Sequence, residues 1–181
     1  MVHPEDKKML PKLSFVLGGA ASGKSLWAEN YVLGSGARPV YLATSRIFDD
    51  EIAHKVQVHQ ERRDARWHNL NADLDLGPAL ATLDAGQAVL IDCATMWLSN
   101  QMLDESDLVA AQTALLNDIK SCAAPVVMVS NEVGHGIVPD NKLARAFREA
   151  QGRLNIAFAA QADFAVMITA GLPQVLKGQL P

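Results

Sequence analysis

At 181 residues, 49% apolar and 20% charged, the chain has the composition of one globular domain able to bury its own core. A net charge of −4 argues against a nucleic-acid face, which is usually basic, and favours small-molecule partners. No apolar run reaches a membrane span, "MVHPEDKKMLPK" lacks the apolar stretch of a signal peptide, and Cys93 and Cys122 alone make neither a disulfide framework nor a zinc site, so a cytoplasmic protein is expected.

Residues 1–12, polar and broken by Pro4 and Pro11, read as a flexible arm ahead of a single domain over 13–181. "LSFVL" (13–17) predicts a buried strand ended by Gly18 and Gly19, and a helix follows over 25–33 with Leu26, Tyr31 and Leu33 flanking its core side. "PVYLAT" (39–44), "AVLIDC" (88–93), "PVVMVS" (125–130) and "FAVMIT" (164–169) predict four more strands, each continuously apolar as in strands covered on both faces. Helices are expected over 50–63, 73–84, 95–103, 107–121 and 140–161. The alternation predicts a three-layer α/β domain with a mostly parallel sheet flanked by helices. Ligands of such sheets sit beyond the carboxyl ends of the strands. Trp27, Met96, Trp97 and Leu98 are expected to fill core or subunit contacts.

The segment Gly18-Gly19-Ala20-Ala21-Ser22-Gly23-Lys24-Ser25 fills the pattern G-x4-G-K-S between a strand and a helix, the context this phosphate loop requires. Its glycines let successive backbone N–H groups point inward as an anion nest, and the helix N-terminus adds its positive dipole end. Lys24 would reach the β- and γ-phosphates and the Ser25 hydroxyl would ligate Mg²⁺. Asp92, at the end of "VLID", would support the same ion; the alternative is that it caps the helix that follows. The fold class is therefore a P-loop NTPase of the RecA-like kind, with kinase, ATPase and motor all open at this point.

Three further stretches narrow the choice: "YLATS" (41–45) running into "RIFDDEIAHKVQVHQERR" (46–63), "LIDCATMWLSN" (90–100), and "NEVGHGIVP" (131–139) with its trailing helix. With the "GGAASGKS" loop, and in this order, they resemble the bifunctional adenosylcobinamide kinase/adenosylcobinamide-phosphate guanylyltransferase family of cobalamin synthesis. The resemblance runs from Leu13 to the end of the chain. It implies two reactions: phosphorylation of the aminopropanol hydroxyl of adenosylcobinamide by ATP or GTP, then transfer of GMP from GTP onto that phosphate. The second gives adenosylcobinamide-GDP and pyrophosphate by way of a covalent guanylyl-histidine. The resemblance also implies a homo-oligomer, a trimer; no nucleic-acid partner and no membrane span are expected on the charge and the apolar runs already given.

A neutral imidazole is nucleophilic near pH 7 and leaves phosphorus readily once protonated, so it can split one displacement into two. Among five histidines, His59 matches the family's nucleophile, the pattern R-I-x-x-H being written here Lys55-Val56-Gln57-Val58-His59. On the expected helix 50–63, capped by Asp49 or Asp50, residues Ile52, Val56 and His59 share one stripe. Arg62 and Arg63 just beyond suit phosphate clamping. The resemblance adds Ala43, Thr44, Ser45, Gln60, Glu61 and Asn71 to the nucleotide contacts. His135, in the glycine-rich turn, and His54 are the rivals; His3 and His68 have no supporting context. Three positions depart from the family pattern: Lys55 stands where Arg is usual, Asp64 where Pro is usual, and Asn71 near a usual Glu, the last bearing on guanine selectivity. Glu132, directly after the fourth strand, falls in the zone for a polar role near the acceptor, and Arg145 or Arg148 could reach phosphate. The competing readings are a monofunctional P-loop small-molecule kinase and a RecA-like ATPase module.

Overall fold

The computed structural model describes residues 9–46 and 64–180. The five predicted strands are present as β1 (Leu13–Gly18), β2 (Arg38–Ala43), β4 (Gln87–Asp92), β5 (Val126–Asn131) and β6 (Phe164–Thr169). Two strands were not foreseen: β3 (His68–Asn71) and β7 (Leu172–Lys177). All seven form one sheet in the order β3-β2-β4-β5-β1-β6-β7, parallel throughout except for the antiparallel β6–β7 pair. The missed strands are its two edges. There one face or both stay wet, so "HNLN" and "LPQVLK" carry no continuous apolar signal.

Alternate residues of the central strands serve opposite faces. Leu13, Phe15, Val89, Ile91, Val126 and Met128 enter one core, while Val16, Leu90, Val127, Val129 and Val166 enter the other. Helix α1 (Lys24–Gly34) covers the second face, contributing Ala28 and Val32. Helices α3 (Ala94–Leu103), α4 (Leu108–Ser121) and α5 (Lys142–Gln161) cover the first. Phe15 stacks on Phe158 of α5 at a centroid distance of 5.7 Å. This is the expected three-layer arrangement, and both faces being covered explains the continuously apolar strands.

Two helical expectations change. Residues 73–84 hold one short helix, α2 (Gly77–Leu80), because Asp75 closes a turn by accepting the Gly77 N–H at 3.0 Å and Pro78 then starts the helix afresh. Leu26 is exposed: the stripe Lys24–Ala28–Val32 faces the sheet and Leu26 lies half a turn away. Residues 50–63 lie outside the described residues. The starts of α4 and α5 are capped by side chains: Asp107 accepts from Val109 and Ala110 N–H at 3.0 and 3.1 Å, and Asn141 accepts from Ala144 N–H at 3.1 Å. Trp97 is core, its indole N–H donating to the Leu74 carbonyl at 2.8 Å. Among the described residues no helix is long and apolar enough to cross a membrane.

Candidate functional site: the carboxyl edge of the sheet

The sheet brings the motif residues to one edge. In register, Gly18 of β1 faces Asn131 of β5, Asp92 of β4 faces Ala43 of β2, and Ala43 faces Asn71 of β3. The loop strand β1 and the Asp92 strand β4 are separated by β5, so the residue leaving β5, Glu132, is placed between them. The Glu132 N–H donates to the Gly18 carbonyl at 3.0 Å, and its carboxylate accepts from the Gly134 N–H.

The loop itself is built from backbone. Ala21 (φ 53) and Gly23 (φ 91) take left-handed conformations that curl the chain over the start of α1. Gly18 has no room for a side chain: a Cβ there would meet Ser22 Oγ at 2.4 Å and the Ile168 carbonyl at 2.8 Å. Gly23 is the residue before α1 and supplies no side-chain cap, so the first-turn N–H groups of α1 remain available to an anion. Ser22 Oγ is buried without a hydrogen-bond partner among the described residues.

Lys24 is buried, and its ammonium donates to the Gly19 carbonyl at 3.0 Å, folded across the loop. Burial pushes its pKa below the ordinary lysine value, while the neighbouring Cys93 and Asp92 oppose that shift. Asp92 accepts from the Tyr41 hydroxyl at 3.1 Å through Oδ2, and no hydrogen bond to Oδ1 is made among the described residues. Cys93, not Asp92, occupies the N-cap position of the helix after it, and no side chain caps that helix, so Asp92 does not spend its carboxylate there, contrary to the alternative reading. Cys93 itself is buried, and that burial, with Asp92 beside it, lifts its thiol to about 12, which makes it inert. A half-buried serine hydroxyl (Ser25) and a carboxylate with a spare oxygen are hard donors that fit Mg²⁺ shared with phosphates. No cluster of three His, Cys, Asp or Glu exists among the described residues, so an all-protein cage is not what this donor set offers.

The remaining expected contacts fall in two groups. Ala43, Thr44, Ser45, Asn71 and Asp92 lie at the same edge. Thr44 is buried and its hydroxyl is engaged on both sides by Cys93, donating to the carbonyl at 2.7 Å and accepting the N–H at 2.8 Å. Its role is thus to strap β2 to β4. His59, Gln60, Glu61, Arg62 and Arg63 lie outside the described residues, as do His54 and Lys55. His135 is exposed in the turn after β5, and His68 begins β3.

Sequence reasoning missed two supports. Tyr41, which holds Asp92, reads in the sequence as one more apolar strand residue, and its edge-on contact with Trp67 (6.2 Å, 84°) needs the fold to appear. The second is a buried polar network on α5: Ser130 donates to Asn155 Oδ1 at 2.6 Å, Gln151 Nε2 donates to Ser130 Oγ and to Asn155 Oδ1 at 2.9 Å each, and Asn155 Nδ2 donates to the Asn131 carbonyl at 3.2 Å. Thr95 Oγ1 accepts from the Asn131 N–H at 2.9 Å, so the end of β5 is pinned from both helices. A signal existed in the small polar residues Gln151 and Asn155, spaced i, i+4 within an amphipathic helix.

The topology and the backbone-built cradle define a P-loop nucleotide-binding protein of RecA-like fold. Solved structures agree at the level of fold. The P4 protein of bacteriophage phi6, in complex with ADP, superposes with a TM-score of 0.52 at 16% identity, over 94% of this chain and 55% of that one. The flagellar accessory protein FlaH of Methanocaldococcus jannaschii gives 0.51 at 11% identity, over 94% and 80%. The family is more specific: the profile described as cobinamide kinase / cobinamide phosphate guanyltransferase matches residues 14–176, and the chain belongs to that family. It is 37% identical to the bifunctional adenosylcobalamin biosynthesis protein CobP of Pseudomonas aeruginosa over 91% of this chain and 96% of the relative. It is also 36% identical to the bifunctional adenosylcobalamin biosynthesis protein CobU of Salmonella typhimurium, over 90% and 98%.

Proposed function

We propose that this protein is a transferase of cobalamin biosynthesis that phosphorylates adenosylcobinamide with ATP or GTP and then transfers GMP from GTP onto the resulting phosphate. The observation that carries the reading is the family match over residues 14–176, a range that includes the loop, the Asp92 strand, the His59 segment and the turn after β5. In the first reaction the loop N–H groups and Lys24 hold the triphosphate, with Ser25 and Asp92 as the residues that would hold Mg²⁺. That ion, when bound, neutralises charge developing on the phosphates. Phosphoryl transfer asks chiefly for positioning and charge neutralisation, which the cradle supplies.

In the second reaction a nitrogen of His59 attacks the α-phosphorus of GTP. A P–N bond forms as the bond to the bridging oxygen breaks, and pyrophosphate leaves. An oxygen of the acceptor phosphate then attacks the same phosphorus, the P–N bond breaks, and the imidazole is regenerated. Its assignment rests on the 55–59 pattern and on the shortage of rivals: among the described residues His135 is exposed and His68 sits on the far edge strand. Arg62, Arg63, Gln60 and Glu61 join the nucleotide site on the same grounds, as do Ala43, Ser45 and Asn71 at the sheet edge. We infer a cytoplasmic homo-oligomer, a trimer, from the same resemblance.

GTP labelled at the α-phosphate tests the reading. Label is expected to stay on the denatured protein, survive alkali and be lost in acid, as a phosphoramidate is, and to vanish in His59→Ala while kinase activity remains. Undiminished label in that variant moves the nucleophile to another histidine. Label absent from the wild type, with kinase activity intact, leaves a monofunctional kinase.

A further inference from the structure

A cavity of about 710 Å³ opens between the last turn of α3 and the first half of α5, bounded also by the segment leaving β5. Its wall is mostly apolar, formed by Met102, Leu103, Val133, Leu143 and Phe147, with Arg148 the one cation and Glu105 the one carboxylate among the described residues. Leu103 and Leu143 are exposed.

Arg148 carries the chemistry. One terminal nitrogen, Nη2, donates to the Gly134 carbonyl. The other, Nη1, is shut off from water and has no acceptor among the described residues. Arg148 as a whole is half-buried, but an unmatched N–H shut off from water is unfavourable, and an oxygen brought against it would relieve it. Arg148 is also tied to the transfer site by a short path. Gly134 lies two residues after Glu132, whose N–H is bonded to Gly18, the first residue of the phosphate loop.

We propose that this cavity seats the acceptor of both transfers and that Arg148 binds its phosphate once the first transfer has been made; this rests on the function proposed above. The acceptor is a large, apolar-faced macrocycle carrying a short alkyl alcohol, and later a phosphomonoester. The cavity is of a size for the arm and one edge of the ring. A fork of N–H donors suits a phosphomonoester dianion far better than an alcohol. Arg148 therefore acts in the second reaction, while the apolar wall serves both.

The test is a split in KM measured on one preparation of the full chain. In Arg148→Gln, the KM for adenosylcobinamide phosphate in guanylyl transfer is expected to rise at least about tenfold, the factor for one strong interaction. The KM for adenosylcobinamide in the kinase reaction should stay within roughly threefold. Arg148→Lys, which keeps the charge without the fork, should fall between. Leu143→Asp, an exposed site that tolerates change, should raise both KM values. Equal rises, or no rise, in the two KM values of Arg148→Gln and Arg148→Lys overturn the role of Arg148. No change in Leu143→Asp places the macrocycle elsewhere. A wild type with neither activity overturns the underlying function, whereas an active wild type with indifferent variants overturns this inference alone.

Discussion

The phosphate loop and the wall formed by β5, α3 and α5 share one edge of the sheet but are made of different material. The loop is backbone. Its function needs glycines at positions 18 and 23, a left-handed turn and an uncapped helix start, and its side chains mostly keep out of the way. The opposite wall is side chains: Ser130, Gln151 and Asn155 fix the end of β5, Thr95 pins Asn131, and Arg148 holds Gly134. A site made of backbone needs a short contiguous sequence. A site made of side chains from separate helices needs the tertiary fold.

The contrast predicts opposite mutational signatures. In Gly18→Ala the new methyl collides with Ser22 Oγ and the backbone of Ile168, so the loop must shift. A displacement near 1 Å costs about 10²-fold in a positioned site. Nucleotide affinity and both activities should drop by roughly that factor, checked by titration with a fluorescent GTP analogue. Asn155→Leu keeps the branched shape but removes the acceptor of the Ser130 hydroxyl, one of the two acceptors of Gln151 Nε2 and the donor to the Asn131 carbonyl, in a dry core. About 2–3 kcal/mol of stability should go, which for a domain of this size lowers Tm by roughly 4–12 °C, while nucleotide affinity stays within about threefold. If Gly18→Ala binds nucleotide normally, or Asn155→Leu loses nucleotide without losing stability, the division between backbone-made and side-chain-made halves fails.

That division also explains what could be read from sequence. The loop, the five central strands and Asp92 were legible because each is local: a motif of eight residues, or a continuous apolar run buried on both faces. The edge strands β3 and β7 were not, since their partners on one side only leave them polar or exposed. Residues 73–84 looked helical by composition, yet Asp75 and Pro78 impose a turn first. Tyr41 and Asn155 look unremarkable in the chain. Their importance comes from what lies opposite them, Asp92 in one case and Ser130 in the other. Arg148 reads in the sequence as one cation of a charged helix face; its buried Nη1, without a partner among the described residues, needs the fold to appear.

The smallest effect concerns the turn that leads into Trp67, and so into the Tyr41–Asp92 contact. Asp64 accepts from Arg66 three times by side chain and once by backbone, at 2.6 to 3.0 Å. Those bonds, the guanidinium first, lower its carboxyl pKa from 3.8 to about 2. Between those values the unfolded chain holds the extra proton, so this pair's contribution rises with pH across that window. It is complete above the ordinary aspartate value and is lost as pH falls towards about 2. Both side chains are exposed, so the contribution is small and sensitive to salt. Urea unfolding of wild type and Asp64→Asn should therefore differ slightly at pH 6 in low salt. The difference should shrink at pH 2.5 and in 1 M NaCl, with nucleotide affinity at neutral pH unchanged. A difference that persists undiminished in acid would mean that the turn is held by its backbone bonds, and that the charge pair contributes nothing.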